Sequence, residues 1–194
     1  MKSLFDSFHF VEVPLLFSPE RHRNVFATKN NKTLAETLDH PRYRKLSQQA
    51  ETLYKEHLDQ PLGTFLLSLK QAGDQFYRKF LNRYGDLEYS VFSIANQDFH
   101  ALRGVYAYQA NGVVQYIGRC RDSLKKRVDQ GYGKIHPKNC YIDGQATNCH
   151  LNALITALET EITFWLHPMD NGDEIERFER QLIQAHQPPW NIQK

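Results

Sequence analysis

Apolar positions recur with a helical period in the first half of the chain and with a strand period after it. From Thr33 to about Tyr84 run the segments KTLAETL, YRKLSQQAETLYKEHL and GTFLLSLKQAGDQFYRKFLNRYG, punctuated by Pro41, Pro61 and Gly85. Leu46, Ala50, Leu53 and Leu58 fall three to five residues apart, and Phe65, Leu66, Leu69, Phe76 and Phe80 repeat the pattern, so each segment has one face to bury. Two or three packed helices are expected. Their aromatic residues, set among leucines at helical spacing, read as core rather than as a base-stacking surface. Ahead of them, residues 1–33 mix short apolar runs such as FHFVEVPLLF with Pro14 and Pro19, the pattern of an arm or edge strand followed by loop.

After Gly85 the period becomes two. EYSVFSI, GVYAYQ and VVQYIGR read as strands, and Ala110-Asn111-Gly112 separates the last two. Asn and Gly tolerate the positive φ of a type I′ turn, so residues 104–119 are expected to form a β-hairpin. Asp122 is placed to N-cap a helix over SLKKRVDQ. Residues 131–147, rich in Gly and polar groups, read as an ordered loop, and a second helix starts near Thr147 or Asn148. ITFWLHP reads as a further strand, and Asp170-Asn171-Gly172 turns the chain into the helix DEIERFERQLIQAH. The chain then divides into a mainly helical segment, 1–99, for recognition, assembly or support, and a mixed α+β domain, 100–194.

Composition narrows the function classes. A hydrophobic fraction of 41% over 194 residues suits a folded chain of one or two domains. Lys and Arg number 24 against 22 Asp and Glu, so any attraction to phosphate must be local. It concentrates in RCRDSLKKR, with Arg119, Arg121, Lys125, Lys126 and Arg127, and in Arg21-His22-Arg23, the latter read as a solvated face. Cys120, Cys140 and Cys149 cannot all pair within one chain, and MKSLFDSFHF lacks the apolar core of a signal peptide, so a cytoplasmic protein with reduced thiols is expected. No apolar run approaches the roughly 20 residues that span a bilayer, which sets a membrane function aside.

Tyr106 and Tyr116 sit on opposite arms of the expected hairpin, Arg127 one to two turns into the following helix, and Glu179 on the last one. Phosphodiester cleavage needs a proton acceptor for water, a cation for the phosphate and a carboxylate for a metal ion, and these residue types supply them. Each alone is an ordinary strand aromatic or surface charge; the combination in this order carries the argument.

Gly104-Val105-Tyr106, Tyr116-Ile117-Gly118 and Lys126-Arg127 resemble the three opening motifs of the GIY-YIG nuclease family. The string from Glu179 to Pro188-Pro-Trp-Asn191 is similar to its closing motif, especially in the form found in the N-terminal nuclease domain of the bacterial excision-repair endonuclease. The resemblance covers residues 103–192 and implies a small α+β domain with a three-stranded antiparallel sheet flanked by helices. It implies a metal-dependent DNA endonuclease of a restriction, mobile-element or repair setting, with Tyr106 as base or water-orienting group and Tyr116 shaping the site and contacting phosphate. Arg127 would stabilise the transition state, Glu179 would hold a divalent cation, taken as Mg²⁺, and Asn191 would close the site. A phenol of ordinary pKa about 10 serves as a base near neutral pH only if a metal-bound water or a cation such as Arg127 or a Lys lowers the barrier. Gly118 would allow close approach of backbone or phosphate.

Many members of that family carry a His one helical turn after the Arg; here the position is Gly131, and either Tyr132 or His136 is a candidate to take over its task. The loop 131–152 supplies hydrogen-bonding groups for phosphate and base edges. With the basic cluster it makes Arg119, Arg121, Lys126, Tyr132, Lys134, His136, Lys138, Asn148 and His150 the expected nucleic-acid contacts. His136, Cys140, Cys149 and His150 lack the spacing of a zinc site and read better as free or buried groups. A non-catalytic nucleic-acid adaptor and an enzyme acting on RNA are the alternatives. A palindromic DNA target would call for a homodimer or for two successive cuts.

Overall fold

The computed structural model describes residues 4–5 and 8–192; the other residues of the N-terminal stretch read for a leader lie outside them. The elements in order are β1 (Val11–Glu12), β2 (Leu15–His22), α1 (Leu34–Leu38), α2 (Ser47–Leu53), α3 (Leu62–Gln71), β3 (Tyr89–Ile94), β4 (Gly104–Ala110), β5 (Val113–Cys120), α4 (Leu124–Arg127), α5 (Ala146–Ala157), β6 (Ile162–Pro168) and α6 (Gly172–His186), with short 3-10 turns between them. The fold is mixed α+β with antiparallel sheets. The chain forms two compact units, and the division does not follow the expected boundary near residue 100. Residues up to Glu20, Ser90–Lys134 and the chain from Leu154 on make one; Arg21–Tyr89 and Ile135–Ala153 make the other. Compactness is set by which apolar faces meet, and each unit draws such faces from distant stretches of chain.

The first unit is built on a sheet of order β1-β6-β4-β5. The expected sheet had three strands; the fourth is Val11–Glu12, which pairs with Leu166 and Trp165 at the outer edge of β6. Two residues of pairing are too short to leave a period in the sequence. The hairpin forms as expected, with Asn111 at φ 51° and Gly112 at φ 76°. Because β-strand side chains alternate, Val105, Ala107, Ile117 and Trp165 share one face and pack against Ile175 and Leu182 of α6 together with Phe5 and Phe10. Tyr106, Tyr108, Tyr116 and Phe164 fall on the other. A separate two-stranded sheet joins β2 to β3.

Two local expectations change. Ser123, not Asp122, caps α4: its hydroxyl accepts from the Lys126 N–H at 3.2 Å, and the Asp122 carboxylate pairs with the Lys126 ammonium at 2.9 Å. The helix is one turn long and continues as a π turn over Val128–Tyr132.

The second unit buries Leu34, Leu38, Leu46, Ala50, Leu62, Phe65, Leu66, Leu69, Phe76 and Phe80 in one core. Each such Leu or Phe contributes roughly 1.5–3 kcal/mol on burial. The amphipathic reading holds for them and fails for Leu53, 59% exposed, because α2 ends there and Tyr54 turns in to stack on Phe76 at 4.8 Å. The third helical segment is broken at Gly73, φ 79°, and resumes as a 3-10 turn over Gln75–Phe80. Among the described residues no helix is long and apolar enough to cross a membrane.

Candidate active site

The hairpin places Tyr106 directly opposite Gly118, and Tyr108 opposite Tyr116. Gly118 is needed for the Tyr106 side chain rather than for a backbone or phosphate. A Cβ there would lie 2.5 Å from the Tyr106 hydroxyl and 2.7 Å from a ring carbon of Tyr116, so only glycine lets the two phenols share that face. Their rings stack with centroids 6.3 Å apart.

Tyr132 joins them from the turn after Arg127. One α-helical turn past Arg127 would present Gly131. The π turn Val128–Tyr132, closed by the Gly133 N–H on the Val128 carbonyl at 2.7 Å, inserts one more residue and presents Tyr132 instead. Gly133 is pinned as the Phe92 N–H donates to its carbonyl at 3.0 Å, and a Cβ on Gly133 would meet the Phe92 carbonyl at 1.9 Å. The Tyr132 hydroxyl then lies 2.8 Å from that of Tyr106 and 3.5 Å from that of Tyr116. The Arg127 Nε–H donates to the Tyr106 hydroxyl at 3.2 Å, and its guanidinium lies 5.2 Å from the centre of the Tyr132 ring. Four side chains from two strands and a turn thus converge, and Tyr132 rather than His136 stands beside Arg127. The sequence hint was the Gly-Tyr-Gly run 131–133.

Burial sets the charge states. Tyr106 and Tyr132 are fully buried, and their pKa values are pushed well above the usual phenol range, first by desolvation; Arg127 pulls both down without reversing it. Tyr116, 7% exposed, is raised for the same reason. At neutral pH these are uncharged hydroxyls, suited to donate and pass hydrogen bonds and poorly suited to act as bases. The pKa of Arg127 is raised, foremost by Tyr106 and against the opposing effect of burial, which keeps the guanidinium cationic.

Glu179 belongs to α6, on the other face of the sheet, and reaches Arg119 of the edge strand β5. Its carboxylate accepts from Arg119, whose second amino group lies 3.9 Å from Glu176; Arg121 also pairs with Glu176. The Glu179 side chain is 12% exposed, and its pKa is raised by burial, with Arg119 and then Arg127 opposing. Glu179 in turn raises that of Tyr116. Among the described residues no group of three or more His, Cys, Asp or Glu side chains could hold a metal ion. Glu179 and Glu176 are two carboxylates of α6, and both are engaged by arginines: Glu179 by Arg119, and Glu176 by Arg121, by Arg180 at 3.1 Å and by Arg119 at 3.9 Å.

Asn191 is engaged with the backbone. Its amide donates to the Ile117 carbonyl at 2.8 Å and accepts from the Ile117 N–H at 3.0 Å, while the Trp190 N–H bonds the Gln115 carbonyl at 2.9 Å. Residues 190–191 thus cover the outer edge of β5, and Asn191 imitates a paired strand residue.

The expected nucleic-acid contacts disperse. Arg119 and Arg121 hold carboxylates, Lys126 is exposed and paired with Asp122, and Tyr132 is buried in the cluster. Lys134 is exposed at the end of the first unit, whereas His136, Lys138, Asn148 and His150 belong to the second. There His136 caps a 3-10 turn through the Lys138 N–H at 3.2 Å, Asn148 is buried, and the His150 ring lies 4.4 Å from that of Tyr84. Cys120, Cys140 and Cys149 are free and buried, with 3.9 Å between the sulfurs of Cys140 and Cys149. Arg23 pairs with Glu88 at 2.8 Å. Tyr108, fully buried with a hydroxyl that has no hydrogen-bond partner among the described residues, escaped the sequence reading because nothing in the pattern separates it from a core aromatic. Comparison of the chain with protein-family models, curated proteins and solved structures returns no match.

Proposed function

We propose that the first unit is a metal-dependent phosphodiester hydrolase acting on DNA, of the GIY-YIG type that its motifs resemble. The observation that carries this reading is the joining of Arg127, Tyr106, Tyr132 and Tyr116 by hydrogen bonds. Arg127 is a permanent cation whose fork suits a phosphate oxygen, and it stabilises negative charge developing there. Tyr106 orients the Arg127 guanidinium, and Tyr116, more exposed than Tyr106 and Tyr132, is the phenol placed to reach water and phosphate. The chain Tyr106–Tyr132–Tyr116 offers a path for a proton from the buried end of the cluster toward its more exposed one. Burial argues against Tyr106 as the base and for a donor or relay role.

Glu179, with Glu176 beside it, would hold a divalent cation, taken as Mg²⁺. Such an ion supplies Lewis-acid polarisation of the phosphate and acidifies water. Arg119 lies against both carboxylates and opposes the effect of burial on Glu179. Asn191 acts on β5, the strand that carries Tyr116, and so belongs to the support of the site rather than to its chemistry.

The test is incubation of the purified protein with supercoiled plasmid and phage DNA, with Mg²⁺ or EDTA, beside Glu179→Ala and Arg127→Ala. Metal-dependent cutting is expected, abolished in Glu179→Ala and slowed on the order of 10²–10³-fold in Arg127→Ala. Cutting by Glu179→Ala at the wild-type rate would overturn the assignment. Binding of DNA without cutting by the unaltered protein would point to an adaptor, and cutting of RNA alone would replace the substrate.

A further inference from the structure

The second unit carries a group of cations with few counter-charges. Lys29 and Lys32 lie on a loop whose backbone is held by the start of α3: their carbonyls accept from the N–H groups of Gly63 and Leu62 at 3.1 and 2.9 Å. Gly63 makes that contact close, since a Cβ there would lie 2.3 Å from the Ala27 carbonyl. The Lys29 ammonium sits 4.7 Å from the centre of the buried Tyr141 ring. Tyr141 closes the turn that bears Lys138, its N–H donating to the Lys138 carbonyl at 3.2 Å, and its hydroxyl donates to the Phe26 carbonyl at 2.9 Å. Arg42 arrives from a third stretch of chain and donates to the Ile142 carbonyl at 2.7 Å.

Lys29 and Arg42 thus meet the segment Tyr141–Asp143, and Lys32 and Lys138 lie near enough to Lys29 for their charges to act on it. Lys29 is half-buried; Lys32, Arg42 and Lys138 are exposed. Among the described residues Asp143 is the acid that acts on Lys29, and it already accepts from the Tyr43 hydroxyl. Burial, Lys32 and Lys138 together lower the Lys29 pKa against that acid. Glu36, which follows Lys32 closely, is turned to the Thr33 N–H in a capping box. Like charges fixed on a folded surface repel, and a polyanion relieves that repulsion while releasing its own counterions.

We propose that Lys29, Lys32, Arg42 and Lys138 form a surface of the second unit that binds the phosphate backbone of nucleic acid. The choice of nucleic acid over another polyanion rests on the hydrolase reading of the first unit. A lipid surface would call for apolar side chains beside the cations, and none of the large apolar side chains exposed among the described residues lies in these segments. The contact is to phosphate, so it supplies affinity and register without reading bases.

The experiment measures binding of a labelled DNA duplex in EDTA between about 50 and 200 mM salt, where neither metal nor cleavage is needed. The unaltered protein is compared with the triple variants Lys29→Gln/Lys32→Gln/Lys138→Gln and Lys29→Arg/Lys32→Arg/Lys138→Arg. Each phosphate contact contributes about 0.9 to the slope of log K against log salt, so the glutamine variant is expected to have a slope shallower by about 2 to 3 and weaker binding. The arginine variant should keep the slope. Acetylation footprinting of the unaltered protein covers the case of a glutamine variant that does not fold: DNA should protect Lys29, Lys32 and Lys138. An unchanged slope, or the same three lysines unprotected, overturns the proposal. So does protection by anionic vesicles or polyglutamate but not by DNA. Normal cleavage with a slope indifferent to these lysines would reject this surface alone; lysine-dependent binding with no cleavage of any DNA would reject the hydrolase reading alone.

Discussion

The hydroxyls of Tyr106 and Tyr132 lie 2.8 Å apart although the residues are 26 positions apart in the chain, and the π turn after Arg127 is what brings them together. Since Tyr132 bridges Tyr106 and Tyr116, Tyr132→Phe should interrupt the hydroxyl chain and leave the packing. Cleavage of plasmid DNA is expected to slow by roughly 10²-fold, with the thermal midpoint close to that of the parent. Activity equal to wild type would remove Tyr132 from the site.

Gly118→Ala should do more damage than most alanine substitutions in a strand. Its Cβ would sit 2.5 Å from the Tyr106 hydroxyl, so the phenol must leave its position or the hairpin must open. A cost of about 1–3 kcal/mol is expected from overpacking, together with loss of cleavage. Urea unfolding and the plasmid assay read the two effects separately.

Asn191→Ala leaves both backbone groups of Ile117 without their partners at the edge of β5. Leaving a buried group unsatisfied costs about 1–3 kcal/mol, so destabilisation of that order or somewhat above is expected. Hydrogen exchange at the Ile117 amide should accelerate in the variant. Unchanged protection there would show that the edge is held by other contacts.

Asp74 supplies a pH-dependent contribution in the second unit. The Tyr54 hydroxyl donates to it at 2.6 Å and the Phe76 N–H at 2.8 Å, and these bonds hold its carboxyl below the usual value, Tyr54 contributing most. Burial and this carboxylate push the Tyr54 phenol up to about 12. A carboxyl with a depressed folded pKa stabilises the fold above its unfolded pKa, and that contribution is lost as pH falls through the folded one. Asp74→Ala should therefore cost about 1 kcal/mol at pH 7, where it also removes the cap of the 3-10 turn. The gap to wild type should shrink on acidification below about pH 4. A gap that stays constant to pH 2 would contradict the charge-based account.

The β-hairpin, β6, α6 and the apolar faces of the N-terminal helices were all legible in the sequence, because each is specified by a local period or by turn residues whose φ requirement is intrinsic. Asn111-Gly112 needs no tertiary context to favour its turn. The same locality exposed Tyr106, Tyr116, Arg127 and Glu179 as candidates, since their order on successive elements is a property of the string.

What the tertiary structure alone decided was which of these meet. A π turn depends on one backbone bond, from Gly133 to Val128, and on the support of Phe92, so no periodicity announces that Tyr132 replaces residue 131 beside Arg127. The fourth strand is two residues long, too short to carry a pattern, and the regrouping of residues 135–153 with the helical segments depends on long-range burial of side chains such as Cys140, Tyr141 and Cys149. Local physics specifies elements one at a time; the charge state of a buried phenol and the partner of a carboxylate are set by whatever the rest of the chain packs around them.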